Sequence, residues 1–363
     1  MSHNFSKEYE ITRDTIKNAT FSNDKETDAI IKKLQLLLDE DGFDDSNSEA
    51  LEAFRKLVMS FSLSRIFLGT SSDEASRLLS MSGAYGASSK TVTVNDALIK
   101  RCSALKLLRH CYFVSKTGAK SLWVISVPKG YTDWPSFELK AQGTNEAKLK
   151  DSLGKVREYF SSSHKKHMYE GAQFALSWVQ KTLVVLGNFD KDKGASRELV
   201  ERWFKTQDTS ATDLTNIVTE LTAGFKKVQA VLNGNRLIFT DNPPDRGTDD
   251  EKNTEAFVWN GSWKDSLKVV YIERGFFARG ANVLSGRDNW ARIIIHELTH
   301  SELGTKDYPK DNSYGWQGIN PADSKFNGNK AITNAENWAY FAADCAAALS
   351  KSERTTALRV VFP

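Results

Sequence analysis

Residues 288–304 read Asp-Asn-Trp-Ala-Arg-Ile-Ile-Ile-His-Glu-Leu-Thr-His-Ser-Glu-Leu-Gly, and this stretch decides the reading of the chain. Residues four apart on a helix share a face. His296 and His300 therefore present two imidazoles toward one point, and neutral imidazole is a good zinc ligand. Glu297 is one residue on from the first histidine, off the metal but near enough to take a proton from a water activated there and pass it to a leaving amine. Ile293–Ile295 anchor a helix face in the core, Asp288 reads as the N-cap and Gly304 as the stop.

A catalytic zinc site takes three protein ligands and keeps one position open. Two downstream carboxylates can complete the set. Asp307 follows His300 by seven residues, just beyond the turn Gly304-Thr305, where the chain can fold back under the metal. Glu336 lies on the last helix, and with Thr333 it also reads as a capping box. Spacing favours Asp307.

The rest of the composition excludes several classes. The 363 residues carry 49 basic and 46 acidic side chains, a net charge of +3, which makes no electrostatic case for nucleic acid or an anionic membrane. Three cysteines, Cys102, Cys111 and Cys345, are too few and odd in number for a disulfide scaffold and suggest a reducing compartment. The polar start MSHNFSKEYEITRD shows no signal peptide, and no apolar run is long enough to span a bilayer. The expectation is a cytoplasmic protein or one exported by a signal-independent route, as a toxin or effector would be.

Periodicity places helices over 29–38, from Ser46 to about residue 68, and over 71–82 and 96–109, then a hairpin of CYFV and SLWVISV about Ser-Lys-Thr-Gly-Ala-Lys. Polar residues 139–155 read as a boundary, giving a mostly helical region 1–150 and a catalytic region 151–363. Beyond it, helices are expected at 145–160, 166–186, 195–206 and 211–232, and strands at 236–240, 256–259 and 267–277, the last two as a hairpin. Two helices close the chain, one carrying the histidines and one starting at Thr333. His164 and His167 sit beside Lys165 and Lys166, which disfavour a cation, and read as a solvated helix start. His110 reads as packing, and His3 lies on a terminus.

HELTH, then GTKDY, then Tyr314-Gly315, then NAENWAYFAAD resemble the aspzincin metallopeptidases, the deuterolysins and peptidyl-Lys metalloendopeptidases, over about residues 160–363. The paired segments AFVWNGSWKDSLKVVYIERGFF resemble the strands that precede the zinc helix in that family. The resemblance implies that His296, His300 and Asp307 hold one catalytic Zn2+, that Glu297 is the general base, and that Tyr314 donates to the oxyanion. It departs from the pattern at three points. Five residues, Pro309 to Ser313, separate Tyr308 from Tyr314, which leaves Tyr308 as the fallback donor. Glu336 fills the first of two acidic positions of the lysine pocket, but Ala339 occupies the second, so strict lysine specificity is not expected. There is also no disulfide framework.

The expected fold is α+β: a helical N-terminal region, propeptide-like, regulatory or for delivery, then a zincin-like metallopeptidase domain with a small sheet and the His-Glu-x-x-His helix. Cys102 or Cys111 could ligate the metal as thiolates, although buried packing is the favoured reading. The expected activity is cleavage of internal peptide bonds in a protein or peptide substrate. That substrate would lie along edge strand 256–260, with Trp259, Asn260 and Glu336 contacting it. Two alternatives stay open: a thermolysin-like enzyme with Glu336 as third ligand, and a non-catalytic zinc-binding delivery or interaction protein.

Overall fold

The computed structural model describes residues 4–17, 25–56, 111, 114–118, 122–126, 159–192, 194–242, 247–278, 283–308, 319 and 328–358. The chain forms two compact units. The first is 1–161 with 238–246 and 265–269; the second is 162–237, 247–264 and 270–363. The boundary expected at 150/151 lies outside the described residues. A cut there would not separate the units, because two later segments return to the first.

In the first unit, α1 (Phe5–Lys17) and α2 (Lys25–Leu37) bury residues at helical spacing: Phe5, Tyr9 and Ile16 on one, Ile31, Leu34 and Leu37 on the other. α2 gives way to β1 (Leu38–Asp39), which turns back on β2 (Gly42–Phe43) as an antiparallel ladder. The turn needs Gly42 at φ +111°, a conformation that side chains with a Cβ rarely adopt. Ser46, expected as a cap, is itself capped: Asp44 accepts from the Ser46 N–H at 2.9 Å and opens the 3-10 turn Asp45–Asn47. Residues 49–56 then run helically.

The expected hairpin is present as β3 (Val114–Thr117) and β4 (Leu122–Ile125), in the antiparallel register Val114↔Ile125 to Thr117↔Leu122. β4 is buried at every position, so it reads as an apolar run and not as an alternation. Beside it lies β5 (Leu237–Thr240), whose residues 238–240 belong to this unit, and Thr240 Oγ1 donates to the Ile125 carbonyl at 3.1 Å. The segment 265–269 is tied to α1 through Ser6, whose N–H donates to Asp265 Oδ1 at 3.0 Å and whose hydroxyl accepts from the Leu267 N–H at 3.2 Å. Tyr9, Phe43 and Trp123 close the core with ring centroids 5.4 and 5.2 Å apart in sequence.

Cys111 is fully buried in this unit, and burial pushes its thiol up to about 12. At neutral pH without a metal it is therefore a thiol, in keeping with the buried-packing reading; Cys102 lies outside the described residues. Cys111 should resist iodoacetamide at neutral pH in the folded protein and react after denaturation, read by mass spectrometry of the alkylated peptide. Rapid labelling of the native chain would contradict this burial.

The second unit is built around a central helix. α3 (Ser162–Gly187), α4 (Ala195–Phe204) and α5 (Ala211–Asn233) fall within one to four residues of the expected ranges. α5 begins at a capping box of Ser210 and Asp213. The next elements are α6 (Asp249–Asn253), β6 (Ala256–Phe257), β7 (Val269–Ile272), α7 (Gly286–Leu303), α8 (Gly328–Thr333), α9 (Ala335–Cys345) and α10 (Lys351–Leu358). β6 pairs antiparallel with β7, Ala256 opposite Ile272 and Phe257 opposite Tyr271, as the hairpin reading requires. The strand is shorter than 256–259, because after Phe257 the chain leaves the ladder for the 3-10 turn Gly261–Trp263.

α7 packs against α3, α5 and α9. It is buried from Ala291 to His300 without interruption, so it is enclosed on nearly all faces and not on one. Its N-cap is Ser285, and Asp288 falls inside the first turn, where a carboxylate still complements the helix dipole. Close packing needs small residues opposite large ones. A Cβ on Gly171 would come within 2.8 Å of the Trp290 Cβ, and one on Gly224 within 2.5 Å of the Trp338 ring and 2.9 Å of Leu303. Gly224→Ala should therefore destabilise by about 1–3 kcal/mol despite the better helix propensity of alanine. Thermal unfolding should show the midpoint falling by several degrees, and an unchanged midpoint would mean that Trp338 can move aside.

Candidate metal centre

α7 holds His296 and His300 one turn apart, and their rings meet edge to face with centroids 4.7 Å apart. The helix ends at Gly304, which takes the left-handed conformation (φ 70°, ψ 27°) and donates its N–H to the His300 carbonyl at 3.1 Å. The next residues are fixed by a short parallel bridge between Lys306 and Asn334. Within it the Lys306 N–H donates to the Thr333 carbonyl at 2.7 Å, and the Ala335 N–H to the Lys306 carbonyl at 3.1 Å. This bridge sets Asp307 beneath the two rings. Asp307 Oδ1 lies 3.1 Å from His296 Nε2 and 3.2 Å from His300 Nε2, and the two Nε2 atoms are 3.0 Å apart.

Three donor atoms thus converge on one point. Donors around a tetrahedral zinc, with bonds of about 2.0–2.2 Å, stand roughly 3.3–3.6 Å apart, close to the separations here. The tautomer also fits. His300 Nδ1 lies 2.7 Å from the Thr305 carbonyl, an acceptor only, so Nδ1 carries the proton and Nε2 keeps its lone pair toward Asp307. Thr299 supports this turn, donating to the His296 carbonyl at 2.7 Å and meeting the Thr305 hydroxyl at 2.8 Å. Burial opposes the Asp307 anion, but the neighbouring His296 and His300 outweigh it and hold the carboxyl well below its ordinary range. The residues fit a divalent metal. His296, His300 and Asp307 form the only such group of three or more among the described residues.

Glu297 is 6% exposed and lines a cleft of about 310 Å³ beside the donor set. Burial raises its carboxyl above the usual value, while His296 and His300 pull it back. The cleft is walled by Ala256, Phe257, Val258 and Asn260 on the β6 side and by Thr305, Lys306 and Asp307 on the other. Asn260 is thus on the cleft wall. Trp259 does not line it; its ring packs against Phe257 at 5.2 Å, Tyr271 at 6.3 Å and Trp263 at 6.2 Å. The expected substrate contact from Trp259 is therefore not supported by its placement.

Glu336 is also placed differently from its expected role. Its helix starts at Asn334, and the Thr333 hydroxyl bonds to the Asn329 carbonyl at 2.6 Å, so the expected capping box does not form. Glu336 is 1% exposed and does not line the cleft. It accepts from Arg292 Nη1 at 2.8 Å and stands 3.7 Å from His296 Nδ1, on the side of the ring away from the Asp307 contact. Burial disfavours the anion, but Arg292 and then His296 hold its carboxyl down to about 2. It stands apart from the converging Nε2 atoms and off the cleft wall. Ala339 is fully buried.

Tyr314 lies outside the described residues. Tyr308, the fallback, bonds through its hydroxyl to Thr333 Oγ1 at 2.9 Å and does not line the cleft. His164 and His167 are part-buried, stacked on Phe277 at 4.1 Å and Trp290 at 4.2 Å, so they pack where a solvated start was expected. His110 and His3 lie outside the described residues. Sequence reading missed Arg292, Glu255 and the Thr305 carbonyl. The available signal was Arg292 itself, a charge inside an apolar helical run, four residues before His296 and on its face.

Among the described residues no helix is long and apolar enough to cross a membrane. Residues 189–343 match the aspzincin family, described as lysine-specific metallo-endopeptidase. A zinc peptidase from Grifola frondosa aligns with 52% of this chain and 99% of its own, at 20% identity and a TM-score of 0.36, a likeness too distant to carry an argument. No curated protein matches the chain. The resemblance read from the motifs is thus matched over residues 189–343, somewhat under half of the chain, and this region is similar to a family of metallo-endopeptidases, which supports a peptide hydrolase.

Proposed function

We propose that the protein is an endopeptidase that holds one zinc ion on His296, His300 and Asp307 and uses Glu297 as general base. The observation that carries this reading is the convergence of His296 Nε2, His300 Nε2 and Asp307 Oδ1 within 3.0–3.2 Å beside the buried Glu297 carboxylate. When bound, zinc supplies a Lewis acid that polarises a carbonyl and lowers the pKa of water. Glu297 takes the proton of the attacking water and returns it to the leaving amine, a role suited to a buried carboxyl held above its usual value. Ala256–Val258, next to the β6 ladder, offer backbone groups to an extended peptide, and Asn260 extends that wall. Tyr314 remains the proposed oxyanion donor, since Tyr308 is engaged with Thr333.

The same placement bears on specificity. Glu336 is neutralised by Arg292 and lies out of the cleft, whereas the cation Lys306 lines it. A peptide library digested by the full chain and read by mass spectrometry should show cleavage that stops with a chelator and is not confined to bonds before lysine. Cuts only before lysine would overturn the specificity reading. Full metal occupancy with no cleavage of any peptide would favour a non-catalytic zinc-binding protein.

A further inference from the structure

Behind the donor set lies a buried polar cluster centred on Arg292, which is 2% exposed. Its guanidinium is used on three sides. Nη1 donates to Glu336 Oε1 at 2.8 Å, Nη2 pairs with Glu255, and Nε donates to Asn289 Oδ1 at 2.9 Å. Asn289 closes the ring by donating to Glu255 Oε1 at 2.9 Å. The two carboxylates lead to different places. Glu336 Oε1, held by Arg292, faces His296 Nδ1 at 3.7 Å. Glu255 directly precedes the cleft wall Ala256–Val258, and its backbone is pinned by the Glu273 N–H at 3.1 Å.

A buried ion cluster is weak evidence for stability, since apolar replacements of the same volume are often neutral or stabilising. What this one provides is alignment: one rigid fork fixes α7, the residue before β6, and α9. Only arginine can do this, because a lysine ammonium is a point charge that cannot span both carboxylates and Asn289 in fixed directions. We propose that Arg292 is a positioning residue that fixes the His296 ring through Glu336 and the cleft wall through Glu255. The proposal rests on the metal reading above.

The test uses the full chain, stripped of metal, with zinc affinity measured by competition with a chromophoric chelator, and kcat and KM measured on the loaded enzyme. Glu336→Gln should weaken zinc binding by about 10–100-fold and shift the absorption spectrum of the cobalt-substituted protein. Glu255→Gln should leave zinc affinity unchanged and raise KM with little change in kcat. Arg292→Lys should do both. Folded Glu336→Gln and Glu255→Gln variants with wild-type zinc affinity and KM would overturn the proposal even if Arg292→Lys fails to fold. An Asp307→Ala reference separates the two ideas: if it binds zinc normally, the metal site itself is misassigned.

Discussion

Glu297→Ala is expected to lower peptide cleavage by about 10²–10⁴-fold while zinc stays bound. The contacts that join His296, His300, Asp307 and the Thr305 carbonyl do not run through its side chain, so its loss is expected to leave the donor set in place. Its proposed work is proton transfer, and the buried position that raises its carboxyl would be left apolar, not charged. The measurement is kcat/KM on a cleaved library peptide, beside metal content by mass spectrometry. Retained activity with full zinc would remove Glu297 as the base. Loss of zinc and activity together would mean that the carboxylate supports the metal.

Asp307→Ala is expected to cost more zinc affinity than any change around the site, beyond the about 10–100-fold range of supporting partners. The reason is local. Removing Oδ1 leaves two nitrogens 3.0 Å apart with no third donor within the group, and the bridge at Lys306 holds alanine where the carboxylate stood. Any ligand that binds only the folded chain stabilises it by mass action, about 4 kcal/mol at a thousandfold excess over Kd. Wild type should therefore unfold at a higher temperature with zinc than with chelator, and Asp307→Ala should lose that difference. Glu336→Ala should keep part of it. If instead Glu336→Ala alone abolished zinc binding, the thermolysin-like alternative would stand.

The features legible in sequence were those set by short-range rules. His296 and His300 at helical spacing, the stop at Gly304 and the hairpin 256–272 needed only local periodicity and turn chemistry. Asp307 was favoured on closeness alone, and the structure shows what closeness left unsaid: a backbone bridge to Asn334 aims it. Thr333 with Glu336 satisfies the capping pattern, yet a buried Arg292 from α7 claims the carboxylate, and sequence spacing cannot see a partner 44 positions away. The reading of Trp259 as a substrate contact rests on an edge strand running to residue 260, but β6 ends at Phe257, and the Trp259 ring joins an aromatic cluster. A single cut at 150/151 does not capture segments 238–246 and 265–269, which belong to the first unit.

The Gly304 turn has a consequence for how the site comes into being. All three donors lie between residues 296 and 307, joined by a helix end and one left-handed residue. Bringing together the ends of so short a loop costs little chain entropy, and that cost grows with loop length. Contacts so close along the chain form quickly compared with the pairing of distant strands. The donor set is thus closed by one short segment, and it is complete once Asn334, whose bridge aims Asp307, has followed that segment out of the ribosome.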